Sequence, residues 1–255
     1  MATSSKTAKR TAPGHAPPMR QARRQPQSDQ RQSDERQRRE ERMLDAAAIL
    51  LVRWGYRKTT IDDVAREAGV GKGTIYLHWK DKNDLFVAAI WRASRQTTDD
   101  VTRRLAADPE GGRLHRVWTH GMLAILANPL MAEVIKGRSD IFQGLMDTLT
   151  PATLMRLAGN AEEHIAQLQH AGLIRTDLPV PVITYLMGAV KLGLIHVAEV
   201  VDQEHTPTME QLTEGLSDLM RRWLEPEQLP CDSSVGKHIM AEWMEQSNEI
   251  GTQQR

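Results

Sequence analysis

The run Gly69-Val70-Gly71-Lys72-Gly73-Thr74 sets a lysine and a hydroxyl among glycines, the residue types that cradle a nucleotide phosphate. A phosphate loop, however, needs glycine, four residues and then Gly-Lys-Ser/Thr after a buried strand. Here Gly73 follows Lys72 and no strand pattern precedes the run. The nine histidines fall at spacings such as 115/120 and 164/170, which do not share a helix face as a metal pair would. The single cysteine can form neither an intramolecular disulfide nor a thiolate zinc site, and no Gly-x-Ser-x-Gly elbow is present. The expectation is a protein without catalytic machinery, metal or cofactor.

What the same stretch offers is chemistry for double-stranded DNA. At 100° per residue Ile75 and Trp79 fall together and define a buried helix face, so Gly73, Thr74 and Leu77 point away from it. Gly73 lets a backbone approach closely, Lys72 and Thr74 can donate to base edges or phosphates, and Leu77 suits a thymine methyl. Tyr76 and His78 flank that face as candidate phosphate clamps. Thr60 and Lys82 lie where two flanking helices begin, and helix N-termini favour phosphate. Charge is distributed to match. The net charge is zero, yet residues 1–82 hold 18 Lys+Arg against 10 Asp+Glu, a net of +8, and residues 83–255 hold 15 against 23, a net of −8. A polyanion is expected at one end only.

The elements that must position these groups read as helices throughout. No sustained period-two alternation occurs, and helical spacings recur in every long segment, so the expected fold class is all-α. Residues 1–35 form an expected disordered basic arm, since they hold almost no large apolar side chain, with helix starting near Ser33. A helix-turn-helix head is expected over 36–82, a helical regulatory and dimerisation domain over 83–225, and a tail over 226–255 with at most a short helix around His238 to Gln246. Leu44, Ala47, Ala48 and Leu51 mark the core face of the first helix, which should end at Gly55. Thr60 reads as the N-cap of a helix over Ile61 to Ala68, with Asp62 and Asp63 in its first turn and Gly69 closing it. A third helix is expected from Lys72 to Trp79, with Ile75, Val70, Trp54 and Trp79 as core. A fourth begins near Asn83. Further helices are expected at about 113–127, 129–137, 141–149 and 151–171. The segment Val180 to Val201 has the length of a membrane span, but Lys191 at its middle would cost about 2.5 to 3.5 kcal/mol there, and a soluble helix is expected.

The stretch Thr59-Thr60-Ile61-Asp62-Asp63-Val64-Ala65-Arg66-Glu67-Ala68-Gly69-Val70-Gly71-Lys72-Gly73-Thr74-Ile75-Tyr76-Leu77-His78-Trp79-Lys80-Asp81-Lys82 closely resembles the DNA-binding domain of the TetR family of bacterial transcriptional repressors. The resemblance covers about 45 to 50 residues, from the first helix to the start of the fourth. Many relatives carry Ser or Thr where this chain has Gly71, a poorer N-cap for the recognition helix. The family implies a homodimeric, cytoplasmic, ligand-responsive repressor. Its two recognition helices would enter successive major grooves about 34 to 36 Å apart, and an effector would tilt them off that spacing. An activator of the same fold, an enzyme without a recognisable motif and a sequence-indifferent DNA-coating protein are the alternatives.

Two late seams suit the dimer interface that the family implies. Ile183, Met187, Val190, Leu194, Val197 and Val201 alternate steps of four and three, as do Met209, Leu212, Leu216, Leu219 and Trp223. For the effector, Trp91, Trp118, His120, Met122, Phe142, Met146, Met155 and Tyr185 lie on the helices that in the family surround the pocket. With only Arg113, Arg116 and Arg138 nearby, and none beside a glycine-rich nest, they suggest a neutral or cationic apolar molecule.

Overall fold

The structure is a computed structural model. It describes residues 1–2, 25–135, 151–201, 204, 206–227 and 234–252. The helices are α1 Gln25–Lys58, α2 Ile61–Ala68, α3 Lys72–Tyr76, α4 Lys82–Ala107, α5 Leu114–Ala127, α6 Pro129–Ile135, α7 Pro151–His170, α8 Val180–Val200, α9 Met209–Leu224 and α10 Ser234–Thr252. No strand occurs among the described residues, and no described helix is long and apolar enough to cross a membrane. The helix expected over 141–149 lies outside the described residues.

Residues 1–39 form one compact unit and residues 40–255 another. In the first, helix begins at Gln25 rather than near Ser33. From Gln30 to Arg39 its side chains are polar and mostly exposed, and Gln30 donates to Asp34 at 3.2 Å.

The second unit holds two apolar clusters. One joins Leu44, Ala47 and Leu51 of α1, Ile61 and Val64 of α2, Ile75 of α3, and Leu85, Phe86 and Ala89 of α4. Val70 and Trp79 pack against it as expected, but Trp54 is 40% exposed. The helix turns it outward between the buried pair Leu50 and Leu51 and the kink at Gly55, whose φ is 77°. The other cluster joins Val101 and Leu105 of α4, Leu114 of α5, Ile165 and Leu168 of α7, Ile183 and Met187 of α8, Met220 and Leu224 of α9, and Met240 and Trp243 of α10. At 26 residues and about 39 Å, α4 contributes to both.

Polar ties fix the ends of these helices. The Asp108 carboxylate accepts from Arg116, from His120 at 2.7 Å and from the Glu110 N–H at 2.9 Å, joining the C-cap of α4 to α5. Glu225, just past α9, accepts from the His115 N–H at 2.8 Å and caps α5 from outside. Arg175 donates from its backbone to the Leu224 carbonyl at 2.7 Å and from its side chain to that of Trp223 at 3.1 Å, closing the C-terminal end of α9.

The C-terminal segment corrects the sequence reading. It is not a tail with one short helix but the 19-residue α10, packed on α4 and α7 with Ile239, Met240 and Trp243 buried. Gly236, which resembles a helix breaker, is instead a contact residue: a Cβ there would lie 2.0 Å from the Gly112 carbonyl oxygen. Only a glycine allows α10 to sit that close to the loop after α4.

Candidate functional site

The head is assembled by caps. The Thr60 hydroxyl accepts from the Asp63 N–H at 3.2 Å while Asp63 accepts from the Thr60 N–H at 3.0 Å, a reciprocal box that fixes the start of α2. The Thr60 hydroxyl, donating to the Asp63 carboxylate at 2.6 Å, and the Thr60 N–H, with a smaller contribution from Arg66, hold that carboxyl below the ordinary carboxylate range. Gly69 ends α2 at φ 64°, in the left-handed region, and the Val70 N–H reaches back to the Ala65 carbonyl at 2.9 Å. The chain therefore reverses within Gly69-Val70-Gly71 and enters α3. Gly71 caps α3 with no side-chain hydrogen bond, as its missing hydroxyl requires. Helix α3 ends at Tyr76 rather than Trp79, and backbone bonds from His78 and Trp79 to the Ile75 carbonyl, both 3.0 Å, continue the turn.

On this short helix Ile75 is buried, Lys72 and Gly73 are exposed, and Thr74 is half-buried. Tyr76 is 48% exposed and Leu77 80%. An aromatic ring and a leucine therefore stand in solvent beside a glycine whose added Cβ would meet nothing within 4 Å. Neither φ nor packing demands glycine at position 73 in the isolated chain. Lys72 does not project freely: its ammonium donates to Asp62 of α2 at 2.8 Å, and that bond raises its pKa. Lys82 opens α4 with its ammonium 4.3 Å from the centre of the Tyr56 ring, and burial lowers its pKa. His78 is a correction. Instead of flanking the outward face, it turns inward against Trp79, with its Nδ1 3.6 Å from Glu40 of α1. Lys80 is a cation that the sequence reading passed over. Its side chain is 77% exposed, and its place in the Trp79-Lys80-Asp81-Lys82 exit was the available signal.

Residues 43–89 match the profile of the bacterial regulatory proteins of the tetR family. Over that stretch the chain carries a TetR-family domain. Its relatives include the HTH-type transcriptional regulator AcrR of Shigella flexneri, 38% identical over 61 residues, which are 24% of this chain and 28% of that protein. Another is the HTH-type transcriptional regulator BetI of Klebsiella pneumoniae (strain 342), 35% identical over 79 residues, or 31% of this chain and 40% of that one. The match thus spans less than half the length of either. Beyond it the fold carries the likeness. The structure of NalD, the secondary repressor of the MexAB-OprM multidrug efflux pump in Pseudomonas aeruginosa, aligns with a TM-score of 0.53 at 18% identity. The alignment covers 76% of this chain and 100% of that one. A TetR-family regulator from Rhodococcus sp. aligns at 0.55 with 20% identity, over 72% and 97% of the two chains.

The residues expected at an effector pocket are only partly brought together. Trp118 of α5 and Met122, which is buried, lie in the body, and the Trp91 indole N–H of α4 is buried without a hydrogen-bond partner. His120 is spent on Asp108. Phe142 and Met146 lie outside the described residues, as does the side chain of Met155. Tyr185 is excluded, being 78% exposed on the outer face of α8.

The two expected dimer seams are also corrected in part. Ile183 and Met187 are buried within the protomer, Leu216 is 8% exposed and lines the groove between α8 and α9, and Val190 and Trp223 are half-buried against the core. Ile183 and Met187 turn inward, whereas the seam residues Val197 and Leu219 stay exposed. The apolar surface left outside consists of Val182, Tyr185, Leu186 and Val197 of α8 and Leu219 of α9. Leu194, Leu212 and Leu219 line an open groove between the two helices, and Met209 is half-buried at the start of α9.

Proposed function

We propose that the chain is a homodimeric transcriptional regulator that binds an inverted-repeat DNA operator, represses from it in the cytoplasm, and is released by a small-molecule effector. The head over residues 36–82 reads DNA, and the body from residue 83 onward, extended by α10, senses the effector and dimerises. One observation carries the reading: the outward face of α3 exposes Gly73, Tyr76 and Leu77 together, although the isolated fold gives no reason for any of them. A helix that meets the floor of a major groove explains all three, because Gly73 permits close approach, Tyr76 reaches a phosphate and Leu77 meets a methyl. The exposed apolar face of α8 and α9, with its groove, supplies the surface for a second copy.

Selection of binding sites from a random DNA pool, followed by shift assays across salt, tests this. Wild type should return a palindromic site. Tyr76→Ala and Lys82→Ala should weaken binding to every sequence and reduce the salt slope by about 0.9 for each phosphate left without its partner, whereas Thr74→Ala should also change base preference. Binding that is equal on random DNA and on the selected site would overturn the proposal.

A further inference from the structure

Among the described residues of the head, Arg66, Lys72 and Lys80 are each engaged by a carboxylate: Asp63 at 3.3 Å, Asp62 at 2.8 Å and Asp84 at 3.6 Å. Lys82 is held differently. Its ammonium lies 4.3 Å from the centre of the Tyr56 ring and 5.8 Å from that of Phe86, and among the described residues no carboxylate forms an ion pair with it.

The local sequence builds that platform. At Gly55 the backbone leaves helical geometry with φ 77° and ψ 172°, a conformation that glycine alone takes without strain. Tyr56 follows the break, and its ring meets Phe86 of α4 edge-on, 66° from parallel with 5.6 Å between centres. Phe86 is 1% exposed in the apolar cluster of the head, and Tyr56 packs against the same cluster. The Tyr56 hydroxyl lies 3.5 Å from the Asn83 Oδ1, on the residue after Lys82. The ring is therefore fixed between the end of α1 and the start of α4, with the Lys82 ammonium over its face.

The two ways of holding a cation differ in what they leave for a phosphate. A carboxylate neutralises the ammonium and occupies at least one of its N–H groups, so a phosphate must compete with it. An aromatic face attracts the ammonium through its quadrupole and leaves its charge whole. A lysine free in solvent also carries rotamer entropy that a phosphate contact must freeze, whereas one laid on a ring has lost part of it beforehand.

We infer that Tyr56 is a positioning residue for DNA binding, whose ring lays out the Lys82 ammonium, charged and uncommitted, for an operator phosphate; this rests on the proposed DNA-binding function. Tyr56 itself need not touch DNA. The sequence reading assigned it no role, because its partner lies across the turn from α1 to α4.

The test is a double-mutant cycle read by operator shift assays on the full-length protein. Tyr56→Leu keeps apolar bulk, removes the ring face, and should weaken operator binding about three- to fivefold for each head. In a Lys82→Ala background the same change should cost nothing further, because no ammonium is left to hold, whereas in a Tyr76→Ala background it should cost as much as in wild type. Tyr56→Phe keeps the ring and should keep the affinity. Equal losses in all three backgrounds would show a purely structural role and overturn the inference. One measurement needs no variant and so survives a head that Tyr56→Leu loosens. In NMR spectra of wild type the Lys82 ε-methylene protons should be shifted upfield by the Tyr56 ring current, both free and bound to operator. Ordinary shifts in the free protein, or an upfield shift that vanishes on binding DNA, would overturn the inference. A wild type that selects no operator overturns the regulator and this role of Tyr56 with it; equal losses in a protein that does select one overturn the role of Tyr56 alone.

Discussion

Acid should loosen the joint between α4 and α5 over a defined pH interval. The Asp108 side chain is 8% exposed, and its burial opposes the charge. The bonds from His120, the Glu110 N–H and Arg116 outweigh that effect and hold the carboxyl at about 2, against an ordinary value of 3.8. A carboxyl that is more acidic folded than unfolded stabilises the fold wherever the unfolded form is ionised, that is above pH 4, and the stabilisation is lost as pH falls from about 4 to about 2. The interval between the two values, at 1.36 kcal/mol per pH unit, is worth about 2 kcal/mol. The perturbation is Asp108→Asn, which keeps an acceptor for the Glu110 N–H and removes the charge that Arg116 and His120 face. Urea unfolding of wild type and variant, at one protein concentration between pH 7 and 2.5, should show a gap of about 2 kcal/mol at neutral pH that closes towards pH 2. A gap that stays constant with pH would show that Asp108 acts only as a cap, and would refute the electrostatic argument.

Two further outcomes follow from contacts that differ from the sequence reading. Lys72 is held by Asp62, so Asp62→Asn should free it and remove a negative charge beside the DNA. Operator affinity should rise up to about fivefold at low salt, consistent with a surface pair worth at most about 1 kcal/mol, and an affinity that falls would mean that Lys72 is not a DNA contact. At the proposed dimer surface, Leu219→Glu should give folded monomer by sedimentation, whereas Met187→Glu, which buries a charge in the protomer core, should unfold the chain. A dimer that persists with Leu219→Glu would move the interface away from α9.

The head was legible in the sequence because its architecture is local. Thr60 with Asp63, Gly69 and the Ile75 face act within a few residues of one another, and the bounds of α2 match the expectation residue for residue. The body was less legible because its signals are tertiary. Seams with steps of four and three show that a helix has one apolar face, but not whether that face meets the same chain or a second copy, and Ile183 and Met187 are buried in their own protomer. Gly236 between Pro230 and Ser247 looks like punctuation until Gly112, far away in sequence, is brought against it. Trp54 and His78 failed for the same reason. Their direction depends on the kink at Gly55 and on Glu40, and composition reveals neither.

These contacts also decide how a ligand in the body could act on the head. A ligand shifts an equilibrium only through interactions that differ between the two states, so its site must touch an element that the head also uses. Helix α4 is that element. Leu85 and Phe86 are buried among the residues of the head, and Val101 and Leu105 are buried among those of the body. Midway along it, the buried Arg92 guanidinium grips α1 through Glu41 at 2.7 Å and Asp45 at 2.5 Å. A displacement of α4 must therefore carry α1 with it or break a charged pair of which one side is desolvated, a loss of several kcal/mol. The head is accordingly expected to move as a unit with α4, and the two recognition helices of a dimer would change their separation before either one deforms.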